Sequence, residues 1–290
     1  MRDRLVGRGI LPFLLAAALT SVAGCTSAGR DAAPGPGESD SAPPSLDSRT
    51  AAALRAVEEA TGKAGSARIT STTVMGAMLS TKTEGALDWA GDSTGTLRIT
   101  YTGGELAETM RKLGTTTMEA RLLPDAYYAK VGARFAEQLG GRHWIRYDYD
   151  DLDALPGDSG TYLKDQLRNT APIPPLRLLL ASGDVRAAGE EEVSGVRTRH
   201  YSGTVDVAGL SDAALKKQLT EAGVTGETLD IWVDDRNLLV KKVEKARMST
   251  GLMTQTAYYG DYGVKFSVHK PPAADTQDFE DLVKRQEGTS

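Results

Sequence analysis

The 290-residue chain has one cysteine, three histidines, three tryptophans and four phenylalanines. A lone thiol forms no intramolecular disulfide, so packing alone must hold the fold. The histidines, His143, His200 and His269, lie apart beside strand-like residues, and no pair has the helical or turn spacing of a shared metal site. Each reads as a surface or rim histidine. Positive charge is also short: the formal net charge is −5, which argues against nucleic acid as a partner. No glycine-rich phosphate loop precedes a helix, so the sequence calls for no nucleotide cofactor. No apolar run reaches the roughly 20 residues that cross a bilayer. What remains is ordinary: 40% apolar and 25% charged residues, enough to bury a sizeable core.

The N-terminus is the exception. Arg2, Arg4 and Arg8 precede an apolar segment from Ile10 to Val22, the charged-then-apolar order of a secretory signal peptide. Val22-Ala23-Gly24-Cys25 resembles the lipobox of bacterial lipoproteins, in which the cysteine sulfur receives a diacylglyceryl group and cleavage follows the glycine. The resemblance implies a signal peptide over residues 1–24, a lipidated Cys25 as first mature residue, and a membrane partner at the extracytoplasmic face. The alternative is an ordinary cleaved signal followed by a stray cysteine. Loss of residues 1–24 removes three arginines and one aspartate and takes the net charge from −5 to −7. Residues 25–46 are rich in Gly, Ala, Ser and Pro with almost nothing to bury, which predicts a flexible tether. About 20 such residues have a root-mean-square span of ~25 Å.

Residues 47–290 read as one domain. Leu54 and Val57 recur at helical spacing between Asp47 and Ala60, with Asp47 or Ser48 as cap and Gly62 as stop. The period then changes to two. Strands are expected from Ile69, over Leu79–Trp89 and Leu97–Tyr101, over Met118–Leu122 and Tyr127–Val131 about a Pro124-Asp125 turn, and from Trp144. Leu106, Met110 and Leu113 predict a short helix over Glu105–Leu113, and helices are also expected over Gly160–Asn169 and Leu176–Ala181. The strand pattern returns over Val185–Val193 and Val196–Val207, joined by a Ser194-Gly195 hairpin turn. A helix over Ser211–Ala222, capped by Ser211 and stopped by Gly223, precedes Leu229–Val233, Leu238–Val243, Leu252–Tyr259 and Val264–Val268 as the last strands. A dozen strands with helices grouped rather than alternating point to α+β with a large antiparallel sheet.

Chemical motifs are weak. Gly91-Asp92-Ser93-Thr94-Gly95 fits the G-x-S-x-G pattern, but the nucleophile needs a helix after it, and Leu97–Tyr101 is strand-like. It reads as a hairpin loop. The acidic run Asp148–Asp153 puts Leu152 where a calcium loop needs an oxygen ligand, so it reads as a solvated loop. The expectation is a protein that is not an enzyme and has no metal.

Three further stretches carry a resemblance: Gly189–Tyr201 (GEEEVSGVRTRHY), Ile231-Trp232-Val233-Asp234, and Val268-His269-Lys270-Pro271-Pro272. They resemble the actinobacterial LppX/LprG lipoproteins, which are related in fold to the LolA and LolB lipid carriers. The resemblance implies a strongly curved antiparallel half-barrel with helices across its concave face, enclosing an apolar cavity for acyl chains, with no catalytic residues and no cofactor. Met110, Leu113, Leu176, Leu179 and Leu180 are the candidate lining, since they sit on short helices able to cover a sheet; the same side chains also suit a solid core. The function expected is binding, and carriage, of a hydrophobic acyl-chain lipid; the alternative is a ligand-free envelope interaction or sensor lipoprotein.

Substituting Cys25→Ser is expected to abolish partitioning into a detergent phase while leaving the domain folded, because two acyl chains anchor stably where one holds only marginally. Partitioning that survives the change would assign the anchor elsewhere.

Overall fold

Asp47 caps the first helix, α1 (Ser48–Ala64), its carboxylate accepting from the Thr50 amide at 3.1 Å. The helix runs through Gly62, the expected stop, and ends at Gly65, whose φ of 71° is the left-handed geometry that glycine adopts without strain. The computed structural model describes residues 47–153, 171–221, 223–248 and 251–287. Cys25, the signal and tether over 1–46, and the helix expected over 160–169 lie outside the described residues.

Twelve strands follow: β1 (Ser66–Met75), β2 (Leu79–Asp88), β3 (Thr94–Gly103), β4 (Thr117–Leu122), β5 (Ala126–Lys130), β6 (Trp144–Asp148), β7 (Val185–Val193), β8 (Val196–Asp206), β9 (Val224–Val233), β10 (Leu239–Met248), β11 (Gly251–Gly260) and β12 (Thr276–Asp278). Between and after them come α2 (Gly104–Lys112), α3 (Ala133–Gln138), α4 (Tyr149–Asp153), α5 (Ile173–Ser182), α6 (Ala213–Glu221) and α7 (Phe279–Glu287). All twelve strands form one open sheet in the order β12-β6-β5-β4-β3-β2-β1-β11-β10-β9-β8-β7. Every pair is antiparallel except β12 on β6. The architecture is α+β, as expected.

Laid flat, twelve strands would be roughly 50 Å wide. Yet one apolar cluster takes Val185 of β7 and Tyr201 of β8 near one edge, Tyr127 and Ala129 of β5 towards the other, and Leu54, Val57, Leu152, Leu176 and Leu179 from α1, α4 and α5 between them. The sheet can close on a single row of helices only by curling about them. It is therefore a half-barrel with helices on its concave face. Leu178, Val205 and Leu210 extend the core towards Leu215 and Leu219 of α6.

Local chemistry explains the departures from expectation. Asp212, not Ser211, caps α6, its Oδ1 accepting from the amides of Ala214 and Leu215 at 3.0 Å each. The acidic run Asp148–Asp153 is not a solvated loop but the end of β6 and the short α4, because Tyr149 and Leu152 turn into the core. Val264–Val268 keeps a strand-like alternation of half-buried and exposed residues yet pairs with no strand. It crosses the convex face as a strap, where Ser66 Oγ donates to the Val264 carbonyl (2.8 Å), Arg121 to the His269 carbonyl (2.9 Å), and Lys270 meets Asp125 (2.7 Å). Val268 packs on Leu123, Ala126, Tyr128 and Trp144.

Gly203 of β8 is the point of closest approach between sheet and helix. A methyl there would sit 2.7 Å from Leu179 Cδ2 of α5 and 2.7 Å from the Asp184 carbonyl. Gly203→Ala is therefore expected to destabilise by about 1–3 kcal/mol through overpacking, a fall of several degrees in Tm by thermal denaturation. An unchanged Tm would show that α5 is not seated on β8.

Candidate functional site

The strand register builds one row across the concave face. Tyr101 of β3 lies opposite Thr81 of β2, Thr81 opposite Thr73 of β1, Thr73 opposite Gln255 of β11, and Gln255 opposite Glu244 of β10. On the core side the next row is Thr83, Ser71, Ala257, Lys242 and Ile231. On the far side it is Leu79, Met75, Met253, Ala246 and Glu227. Helices α1 and α5 seal the core side and α6 covers part of the far side, where Leu219, Met248 and Met253 all pack on Val207, Val224 and Ala246. Thr73, Met75, Leu79, Ile99, Tyr101, Met118 and Gln255 are only partly buried, Ile99 and Met118 packing against the edge of the core cluster. Gln255 Nε2 donates to Thr73 Oγ1 at 3.3 Å, and the Tyr101 hydroxyl lies 3.8 Å from Met118 Sδ. Burial raises the Tyr101 pKa.

The row ends in a buried charge cluster. Lys242 Nζ lies 2.6 Å from Glu244 Oε2, and Glu227, 4% exposed, hydrogen-bonds the same carboxylate. Burial first, then the Glu244 charge, pushes the Glu227 pKa up to about 8, so at neutral pH Glu227 keeps its proton and donates a hydrogen bond to the Glu244 carboxylate. Burial opposes the Lys242 charge, but Glu244, Tyr259 and Glu227 outweigh it and raise the pKa. Burial likewise opposes ionised Glu244, and Lys242 more than restores it. One neutral acid, one carboxylate and one ammonium leave the cluster with no net charge.

Of the expected lining, Leu176 and Leu179 have 0% exposure, so no water-sized space adjoins them. Leu180 packs half-buried against the same cluster. Met110 and Leu113 are half-buried at the end of α2, a helix that packs on β2 and β3, so the structure does not bring them to the three leucines. Ser93 is exposed in the β2–β3 loop with a strand after it. The histidines pair elsewhere: His143 with Asp275 (2.8 Å), His200 with Asp230 (2.9 Å), and His269 with Ser267 (3.3 Å). Among the described residues no group of three or more His, Cys, Asp or Glu side chains could hold a metal ion. Nor is any described helix long and apolar enough to cross a membrane. A surface groove of about 370 Å³ between α1 and α5 is walled by charge, including the Arg177–Glu58 pair at 2.7 Å.

Sequence reading missed Glu227, Lys242 and Glu244. The signal was faint: Lys242 and Glu244 share one strand face with Leu239 and Ala246, both fully buried.

No family model matches the chain. It is 51% identical over 292 residues to "Putative lipoprotein SCO4650" of Streptomyces coelicolor, covering 96% of this chain and 97% of the relative. It is 47% identical over 245 residues to an "Uncharacterized 31.2 kDa protein in rplA-rplJ intergenic region" of Streptomyces griseus, covering 81% of this chain and 80% of that one. Among solved structures it is similar to LprF from Mycobacterium bovis (TM-score 0.49, 14% identity, 79% of this chain and all of that one). It is similar also to the Mycobacterium tuberculosis lipoprotein LppX (TM-score 0.49, 14% identity, 77% and 100%).

The charge cluster makes stability depend on pH. Between pH 4.5 and about 8 the folded protein holds a proton on Glu227 that the unfolded chain has released. This stabilisation is complete below pH 4.5 and is lost as pH rises through about 8. The Tm is expected to fall from about pH 5 to about pH 8, and Glu227→Gln should flatten that fall. Equal slopes in parent and variant would mean Glu227 ionises normally in the fold.

Proposed function

The chain belongs to the family of SCO4650 from Streptomyces coelicolor, and we propose that it is a lipoprotein, held at the extracytoplasmic face of the cell membrane through Cys25, that binds and carries an acyl-chain lipid. The observation that carries this reading is the run of partly exposed residues on the concave face of β11, β1, β2 and β3, which α1, α5 and α6 leave uncovered and only the short α2 adjoins, on β2 and β3. An ordinary core has no reason to stop short there. Ile99, Met118, Met75 and Leu79 supply apolar, partly adaptable surface for chain methylenes, each worth about 0.8 kcal/mol when buried. Thr73, Gln255 and Glu244 supply partners for ester or hydroxyl groups. In this reading Met110, Leu113 and Leu180 line the ligand from the helix side, with Leu176 and Leu179 backing them from the core.

One observation favours the second reading, a ligand-free envelope interaction or sensor domain: the packing around Leu176 and Leu179 is complete. Native mass spectrometry of the mature chain, purified from a lipid-rich host, separates the two. Bound lipid is expected, and its absence would leave the second reading.

Two substitutions sharpen the test. Leu180→Arg should keep most of the stability, since a half-buried guanidinium can snorkel outwards, while lipid occupancy falls. Leu179→Arg buries an unpaired charge at a cost of several kcal/mol and should unfold the domain. Full occupancy in a folded Leu180→Arg protein would remove α5 from the binding face.

A further inference from the structure

Five large apolar side chains are exposed among the described residues, and three of them, Val74 (46%), Met78 (41%) and Leu252 (52%), share one end of the sheet. Val74 is the penultimate residue of β1, Met78 lies in the turn into β2, and Leu252 is the second residue of β11. Val74 points to the convex side, since its neighbours Thr73 and Met75 belong to the concave rows. Leu252 has the same sense, being next to Met253. Behind them, Met75, Leu79, Met248 and Met253 face the concave side, half-exposed. Four of the chain's seven methionines thus meet at this tip.

Charge completes the surface. Lys245 lies opposite Thr254, which lies opposite Val74, and Arg247 lies directly opposite Leu252. Both cations are exposed, and among the described residues neither has an ion-pair partner. Of the acids on β9 and β10, Glu244 and Glu227 face inwards, and Asp230, on the convex side, is held by His200 at 2.9 Å. Adjacent α2 carries two acids and two bases, with Glu105 in its first turn beside Met78 and Arg111 and Lys112 in its last. A chain with a net charge of −5 therefore presents, among its described residues, two cations without ion-pair partners beside its most exposed apolar side chains, with Asp206 of β8 beyond Arg247 across Gly226.

We infer that this tip is a docking surface for an anionic lipid bilayer, with Val74, Met78 and Leu252 entering the headgroup region and Lys245 and Arg247 meeting lipid phosphates. The inference rests on the envelope placement proposed above. Cations beside small apolar anchors suit an anionic bilayer better than a protein partner, whose interface core is depleted of lysine. The tip also lies at the open end of the concave face, so docking brings the half-exposed patch to the lipid.

The test uses the mature chain from residue 25 carrying Cys25→Ser, so that no acyl anchor contributes, with vesicles of phosphatidylglycerol and phosphatidylcholine or of phosphatidylcholine alone. Flotation with the anionic vesicles is expected, weakening as salt rises. The pair Lys245→Gln/Arg247→Gln and the triple Val74→Ser/Met78→Ser/Leu252→Ser should each lower the apparent affinity about tenfold or more, with Tm unchanged because the residues are exposed. Failure of the parent to float, or equal flotation by parent and both variants, overturns the inference. Lipid content measured on the same samples keeps the two ideas apart: a parent that floats but carries no lipid fails the carrier reading alone, and one that carries lipid but does not float fails this inference alone.

Discussion

The pairing of β1 with β11 is the constraint on which the rest depends. It joins a meander of β1 to β6 to a second meander of β7 to β11, and no turn sets its register, since residues near 70 meet residues near 258. Within each meander short turns fix pairing; here only side chains can. Ile69 and Tyr259 face each other in the core cluster, as do Ser71 and Ala257 in the adjoining row, and Gln255 bonds Thr73 one step further. A slip of one residue would turn either Ile69 or Ala257 and Tyr259 to the solvent and break the concave row at its centre. Helix α1 reinforces the join from above. Its Thr61 hydroxyl accepts from the Leu239 amide at 3.3 Å, and its Thr61 carbonyl accepts from Trp89 Nε1 at 3.1 Å, so one residue ties the start of β10 to the end of β2. Closing so long a loop is entropically slow, and folding should wait on this step.

The buried Glu227–Lys242–Glu244 cluster follows from that register. Two charges taken out of water are tolerated only when paired and hydrogen-bonded, and the third member keeps its proton instead of adding a second negative charge. An apolar trio of equal volume would pack there without any such arrangement. The polar solution therefore needs a reason other than stability, and its place at the end of the Thr73–Gln255 row, beside the half-exposed patch, connects it with whatever occupies the concave face.

Much of the fold was legible because its signals are local. Ser194 and Gly195, at φ 52° and 79°, make the hairpin turn that their residue types demand, and Asn237 (φ 62°) serves the next one. The short helix at Glu105–Leu113 came from three apolar residues on one face. The long-range features were not legible. Val264–Val268 alternates like a strand, but whether a strand finds an edge depends on the rest of the chain. Lys242, Val243 and Glu244 alternate as well, and period two alone would put Val243 inside; a bulge between Leu239 and Lys241 turns the charges inwards instead. The candidate lining residues illustrate the same limit. Helical spacing recognised an apolar face on α5, but apolarity does not say whether the opposite wall touches it, and Gly203 brings that wall into contact with Leu179.

That contact divides the concave face into two halves with different duties. On the Leu179 side, side chains interlock to the point where one added methyl finds no room, and most of the burial that holds the domain lies there. On the Thr73 side the same strands continue with side chains left half-exposed, stabilised through backbone pairing that the packed half already enforces. Because one rigid sheet runs through both halves, the open half needs no core of its own to keep its shape. Its side chains are free to be chosen for contact with something else: polar in one row, methionine-rich in the next, and apolar with unpaired cations at the rim. That sequence of rows, read from the core outwards, passes from polar side chains through methionines to apolar and cationic ones, and it lies on the strands that the β1–β11 pairing brings together.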